Sequence, residues 1–598
     1  MGDQIHDSAL IYSPCLQLIV RKHNVALYYL DCLVNYLFYC EWNKFFSSLQ
    51  QNLKISKRVD EQKKKLSQSE TQPTVKSMFA APSGLLPSNS PRVKNLNEAV
   101  AYFVCKDSQP FTAVEGVGFR HLMNQAEPRY QVPSATTISR TVLPTVYDSV
   151  RRRLKSEVDK AKYISLTSDI WRSRAKDEYI SLTAHFVTED FELKHPCLGV
   201  FEFDESHTGD VIRKEMDKII ADWAITPTSI TAIVTDNARN YGLAGQKGAW
   251  PHKKCAAHTL QLCIKNSIRA VPEISNVLTH VRQVVSHFSR SMPAERALHA
   301  AQSRRDMPQR NLLMDIDIRW NYTLFMLQSL VNSKEAVNDA LINLKSAPAV
   351  LTQEEWSIIT DLTNFLTPLE EASREFEAEK HVTASLALPI LHSLFSEFPE
   401  TSSAAFETPC QIFKHKMATA LRERFSQVLS DELYQVATLL DPRYKAMLLK
   451  DKGFDEASAL LLKFVKAFGS EKGGCSAVPA ASSSQEPPSK KSRLWQKFDE
   501  KFPEQSRPKT DTPDEEINTY LLEAGQRRAD DVLAYWNLKQ SSFGSLSQLA
   551  RKVLGVPLSS APSERDFSVA SNIITSRREK LQTKTVEMLV FLKENWSL

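Results

Sequence analysis

The run Tyr163-Ile164-Ser165-Leu166-Thr167-Ser168-Asp169, with Tyr179–Thr188 and Cys197–Phe203 after it, decides the fold class. These stretches are rich in β-branched and aromatic residues and alternate in part, the pattern of strands in a sheet. Asp210–Trp223 then reads as a helix, because Val211, Ile212, Met216, Ile219 and Ile220 share one face at helical spacing. Ile230–Thr235 is short and apolar throughout, as expected of a strand buried on both sides. Three strands, a helix and another strand predict a mixed α/β core over residues 159–257.

Downstream, from His258 to about Ala534, the periodicity is helical almost throughout. The exception is 471–493, rich in Ser, Pro and Ala, which reads as a disordered loop. Within it Lys490-Lys491-Ser492-Arg493 is either a nuclear address or a solvated charge run. Upstream, 96–158 predicts short helices ending in Arg151, Arg152, Arg153 and Lys155, while 54–95 holds a lysine-rich helix (Lys63, Lys64, Lys65) and a Pro/Ser-rich tether. Residues 1–53 are apolar and aromatic. Val25–Cys40 is their most apolar run, but Asp31 and Asn35 interrupt it and it is too short to span a bilayer. It reads as a buried or partner-bound helix, and no membrane partner is expected.

Composition narrows the chemistry. The chain has 598 residues, a length that suggests about four domains. Its 42% hydrophobic residues can build a large core, and its formal net charge of +5 leaves any nucleic-acid surface to local patches. Only 16 glycines occur, with no G-x-x-x-x-G-K-[ST] and no G-x-G-x-x-G, which disfavours nucleotide-loop enzymes and dinucleotide folds. The nine cysteines form no C-x-x-C pair. That pattern points to a reducing compartment, and no zinc site is expected.

Two aspartates close the central strands: Asp169 after Ile164–Ser168, and Asp236 after Ile230–Thr235. Carboxylates at neighbouring strand ends repel one another unless a cation or hydrogen bonds compensate, and Mg²⁺ suits such oxygen donors. Paired metals at such sites serve phosphodiester chemistry. Turn and helix-cap roles explain the same residues, since Asp favours both.

Several segments resemble the hAT transposase family. Ser165-Leu166-Thr167-Ser168-Asp169-Ile170-Trp171 and Tyr179–Phe186 look like the first two strands of its catalytic core, and Val234-Thr235-Asp236-Asn237-Ala238 looks like a later one. Ser559-Ser560-Ala561-Pro562-Ser563-Glu564-Arg565-Asp566-Phe567-Ser568 resembles the family's C-terminal signature. Leu440–Lys445 and Gln109-Pro110-Phe111 match further landmarks, so the resemblance covers roughly residues 70–598, nearest to the domesticated BED-finger members. It implies an α+β, mostly α protein: an RNase H-like mixed core, interrupted by a large helical insertion over 258–534 and completed by a dimerisation segment over 535–598.

By motif, the resemblance puts the family's catalytic, metal-binding acids on Asp169, Asp236 and Glu564, with Mg²⁺ as cofactor if catalysis survives. Glu564 has a second explanation in the first turn of a helix, where an acid suits the dipole. Cys255-Ala256-Ala257-His258 resembles the family's C/H-x-x-H motif, which sets His258 beside the active site. Trp320 resembles an insertion tryptophan that stacks on an extruded base; a core tryptophan on an amphipathic helix is the alternative. The family's usual BED finger has no paired Cys and His ligands before residue 96 to match it.

Segment 96–158 resembles the family's second DNA-binding region. There Arg151, Arg152, Arg153 and Lys155, with Lys160 and Lys162, are candidate phosphate contacts, although an exposed helix face explains them nearly as well. At the C-terminus Phe567, Ala570, Ile573 and Ile574 line one helix face, and Val586, Leu589, Val590 and Trp596 another, after the Arg577-Arg578 turn. These faces can pack into the core or onto a second chain, and the resemblance favours a homodimer. The expected function is a nuclear, DNA-associated, homodimerising transcription regulator that no longer transposes and takes no small-molecule substrate. The alternatives are an active Mg²⁺-dependent transposase or nuclease, and a protein-interaction scaffold without DNA contact.

Overall fold

The strand-forming block builds a mixed sheet in the computed structural model, which describes residues 84–173, 176–247, 250–316, 319–400, 408–470, 512–574 and 581–596. The apolar segment 1–53, the lysine-rich run after it, the loop 471–493 with its basic cluster, and Arg577-Arg578 all lie outside the described residues. The strands are β1 (Ile164–Arg172), β2 (Glu178–Val187), β3 (Leu193–Lys194), β4 (Cys197–Glu202), β5 (Ile230–Thr235) and β6 (His252–Lys254). Their order is β3-β2-β1-β5-β6, with β4 also paired to β2. Strands β1 and β2 run antiparallel, with Asp169 opposite Ser181. Strands β1 and β5 run parallel, with Ser168 opposite Thr235. Sequence reading missed β3 and β6, which have two and three residues and are too short to show a period.

The helices that position the site have legible causes. Helix α1 (Pro91–Lys106) starts on the Ser90 cap with proline in its first turn. Helix α2 (Leu143–Lys160) buries Leu143, Val146, Val150, Leu154 and Val158, one stripe at spacings of three and four. Helix α3 (Gly209–Asp222) is capped by Thr208 and buries Ile212, Met216, Ile219 and Ile220. Helix α4 (Ala256–Arg269) opens the helical insertion, α5 (Asn321–Val331) follows Trp320, and α6 (Gln353–Phe376) begins with a Thr352/Glu355 capping box. C-terminal to residue 511 come α7 (Pro513–Leu522), α8 (Val532–Lys539), α9 (Ala561–Ile573) and α10 (Thr583–Asn595).

The sheet separates two apolar cores. Ile233 faces the cluster shared by α2, α3, α9 and α10. Ala232 and Val234, on the opposite face of β5, join the cluster of the insertion. This is an α+β, mostly helical protein: an RNase H-like core with a large helical insertion. Inside the insertion, buried Asp441 accepts from Arg443 Nε at 2.9 Å and Nη2 at 2.7 Å, and from Ser385 Oγ at 2.6 Å. Among the described residues, no helix is long and apolar enough to cross a membrane.

The C-terminal helices correct one expectation. Phe567, Ile573, Ile574, Val586, Leu589 and Val590 are buried in this chain's own core. Helix α9 lies on β1 and β2, and α10 on β4, α1 and α2. Trp596 packs edge-on against Tyr102 at 5.3 Å. These apolar faces close the sheet and are not free to meet a second copy.

Candidate functional site

Register brings the two aspartates together. Because Ser168 of β1 pairs with Thr235 of β5, the next residue on each parallel strand is an aspartate, Asp169 and Asp236. Both are half-buried. Asp169 Oδ1 accepts from the Ile170 amide at 2.9 Å, and Asp236 Oδ1 from the Ala238 amide at 3.0 Å. Burial, reinforced by Asp236 and then Glu564, pushes the Asp169 carboxyl up to about 8.

Glu564 comes from the first turn of α9. Burial and then Glu377 raise its carboxyl, while Arg319 and Arg565 oppose the rise. The Arg319 guanidinium stands 3.8 Å from Glu564 Oε2. A buried polar ladder seats this helix on the sheet. Ser563 Oγ donates to Thr167 Oγ1 at 3.0 Å, which is 3.2 Å from His185 Nε2, and Thr183 Oγ1 donates to Asp566 Oδ2 at 2.8 Å.

A cleft of about 390 Å³ opens between sheet and insertion, lined by Asp169, His258, Trp320, Glu377 and Glu564 together with Trp171. His258 lies in the first turn of α4, where burial lowers its imidazole pKa against the pull of Asp236. Cys255 caps the same helix: its sulfur accepts from the His258 amide at 3.4 Å and sits 3.3 Å from Ser559 Oγ. The C-x-x-H spacing is thus a helix start that ties the insertion to the segment before α9. Trp320 is 4% exposed, as a core tryptophan would be, and part of it lines the cleft.

The oxygen donors of Asp169, Asp236 and Glu564 are of the kind Mg²⁺ takes, and their repulsion is what a cation relieves. Among the described residues, however, no three Asp, Glu, His or Cys side chains are grouped to hold a metal ion as they stand. The two aspartates are the neighbouring pair, and Glu564 shares its side of the cleft with Arg319 and Glu377. Sequence reading missed Glu377, an ordinary acid at the end of α6. It also passed over Arg319, although that residue adjoins Trp320.

Several cations of the α2 basic run have partners within the chain, although Arg152 and Arg153 are exposed. Arg151 pairs with Asp222 at 2.5 Å and lies 5.0 Å over the Trp223 ring. Arg153 Nη2 donates to the Asn595 and Trp596 carbonyls at 3.3 and 3.4 Å, and Lys155 Nζ to the Asp222 carbonyl at 2.6 Å. Arg152 is exposed and reaches the Asp148 carbonyl of its own helix. The candidate phosphate contacts therefore include cations that tie α2 to α3 and α10.

Comparison with known proteins bears on the same segments. Residues 167–245 match the ZBED1 RNase-like domain, 253–365 the ZBED1 RNase-like helical domain, and 516–596 the hAT family C-terminal dimerisation region. Zinc finger BED domain-containing protein 4 of Homo sapiens is 29% identical over 530 residues, covering 85% of this chain and 44% of the relative. Zinc finger BED domain-containing protein 6 of Mus musculus is 26% identical over 563 residues, covering 84% and 55%. A Zea mays protein named as an AC transposase is 23% identical over 525 residues, covering 81% and 63%. The chain spans about half the length of the BED-domain relatives it matches. Core, insertion and dimerisation region are all matched in one chain, which is similar to the hAT-transposase-derived zinc finger BED proteins.

Proposed function

We propose that this protein is a nuclear, DNA-associated, self-associating regulator of transcription that keeps the architecture of a hAT transposase without transposing. The observation that carries this reading is the pairing of Glu564 with Arg319 in the cleft. A guanidinium beside the third acid supplies the charge a cation would supply. The remaining cleft suits DNA contact: Arg319 for phosphate, the Trp320 indole for a base face, and His258 at its edge.

A second reading, an Mg²⁺-dependent nuclease or strand transferase, is favoured by the mutual charge effect of Asp169, Asp236 and Glu564. There Mg²⁺ would activate the attacking oxygen and stabilise the leaving one. The three acids would hold the ion, and Trp320 would position the strand.

Purified full-length chain, incubated with plasmid DNA in Mg²⁺ or Mn²⁺, separates the two readings. The regulator reading expects duplex binding at low salt and no nicking above that of Asp236→Asn. Nicking that Asp236→Asn abolishes would establish the nuclease instead. Undetectable duplex binding at low salt would leave a protein-interaction scaffold.

A further inference from the structure

The segment that carries Arg319 is closed by one carboxylate. The Asp315 side chain is 4% exposed. Its Oδ2 accepts from Arg282 Nε at 2.8 Å and from Nη2 at 2.6 Å. Thr323 Oγ1, in the first turn of α5, donates to the same carboxylate, 3.2 Å from Oδ1 and 3.1 Å from Oδ2. Asp315 and Thr323 stand on either side of Arg319 and Trp320 in the chain, so their bond draws the two ends of that segment together.

Backbone bonds pass this closure on to Arg319. Its amide donates to the carbonyl of Ile316, the neighbour of Asp315, at 3.2 Å. Its carbonyl accepts from the amide of Tyr322, the neighbour of Thr323, also at 3.2 Å. The Thr323 amide donates to the Trp320 carbonyl at 3.0 Å. Arg282 anchors the whole. It belongs to the helix Pro272–Arg290, which buries Val277, Val281, Val284, Val285 and Phe288 in the core of the insertion. A long cationic side chain loses rotamer and backbone freedom when it is held at one partner, and a backbone fixed beforehand removes part of that cost. The Arg319 guanidinium, on a side chain 56% exposed, then has only its own rotamers to settle in order to stand 3.8 Å from Glu564.

We infer that Asp315 is a positioning residue for the cleft: gripped by Arg282 and Thr323, it fixes the Arg319 backbone so that the guanidinium faces Glu564 and an approaching phosphate. The inference rests on the DNA contact assigned to Arg319 in the proposed function and names what sets that contact in place. Asp315 itself is covered and meets no DNA; its effect passes through Arg319.

Hydrogen exchange and duplex binding of the full chain test this with Asp315→Asn, which keeps the shape and drops the charge. Thr323→Val, which keeps the Arg282 pair, takes its place if Asp315→Asn does not fold. Exchange at the Arg319, Tyr322 and Thr323 amides is expected to rise about tenfold or more, while β1 and β5 keep their wild-type rates. Duplex binding at low salt should weaken about fivefold in the wild-type background, and less than about twofold when Arg319→Ala is already present. Unchanged exchange at those amides overturns the assignment. So does a rise spread evenly over sheet and insertion, which would make Asp315 a support of the fold alone. Equal losses of binding with and without Arg319 overturn it too, since the effect would then bypass that residue. A wild-type chain that binds no duplex overturns the DNA-contact reading, and exchange alone then decides whether Asp315 positions Arg319.

Discussion

Ser563 Oγ donates to Thr167 Oγ1 at 3.0 Å, a bond between residues 396 positions apart that joins the last part of the core to its first strand. The whole insertion lies between the two residues in the chain. The bond sets the first turn of α9, and so the position of Glu564 relative to Asp169. Three of the partners, Thr167, Ser563 and His185, are buried, so none of their polar groups has water to fall back on.

Ser563→Ala is expected to cost about 1–2 kcal/mol, and Thr167→Val about 2–3 kcal/mol because it strands both neighbours. Urea unfolding of the full chain measures this. Losses below about 0.3 kcal/mol in both variants would show that the ladder does not hold the core together.

His185 gives the fold a defined acid sensitivity. Burial, with His195 as a lesser cause, lowers its imidazole pKa to about 3 from an ordinary value of 6.5. The folded state therefore holds the ring neutral where the unfolded chain protonates it. Its stability is fully present above pH 6.5 and is lost as pH falls from there toward 3. One such proton contributes up to about 1.4 kcal/mol per pH unit within that window. His185→Gln should flatten the stability profile between pH 6 and 4; an unchanged slope would assign the acid sensitivity to other groups.

Asp441 is wholly buried and satisfied by Arg443 and Ser385. Removing one partner leaves a buried charge uncompensated, so Asp441→Ala should cost about 3–5 kcal/mol. The double variant Asp441→Leu/Arg443→Leu should recover part of that loss. Chemical denaturation of all three chains reads the difference, and equal losses in single and double variants would contradict it.

Within the basic run, position decides the role. Arg152 is exposed, so Arg152→Ala should leave stability unchanged and reduce the salt slope of duplex DNA binding by about 0.9. Arg151 is engaged by Asp222 and Trp223, so Arg151→Ala should cost about 1 kcal/mol of stability. Fluorescence anisotropy across a salt series, paired with thermal melts, would expose the reverse assignment.

Much of the core was legible because burial leaves a local period. Ile230–Thr235 was read as a doubly buried strand, and the structure buries all six residues. The stripe on α3 was likewise visible, although Val211 sits at its edge and is only partly buried. Strands β3 and β6 escaped notice because two or three residues carry no period. In the site, Asp169 and Asp236 could be named from their places at strand ends. Glu377 could not, since nothing local distinguishes an acid at the end of a surface helix from one that faces a cleft.

What the amino-acid order determined by itself was the class of the protein: a short mixed sheet, a long helical insertion, and three acids in recognisable settings. Periodicity and turn chemistry act between near neighbours, so they can be read along the chain. Tertiary structure alone decided the pairings. It set Ser168 against Thr235 and so placed the aspartates side by side; it brought Arg319 from the insertion to Glu564. It also spent the apolar faces of α9 and α10 on the chain's own sheet. A sequence shows that a helix has an apolar face, but what covers that face depends on segments hundreds of residues away, and only packing supplies them.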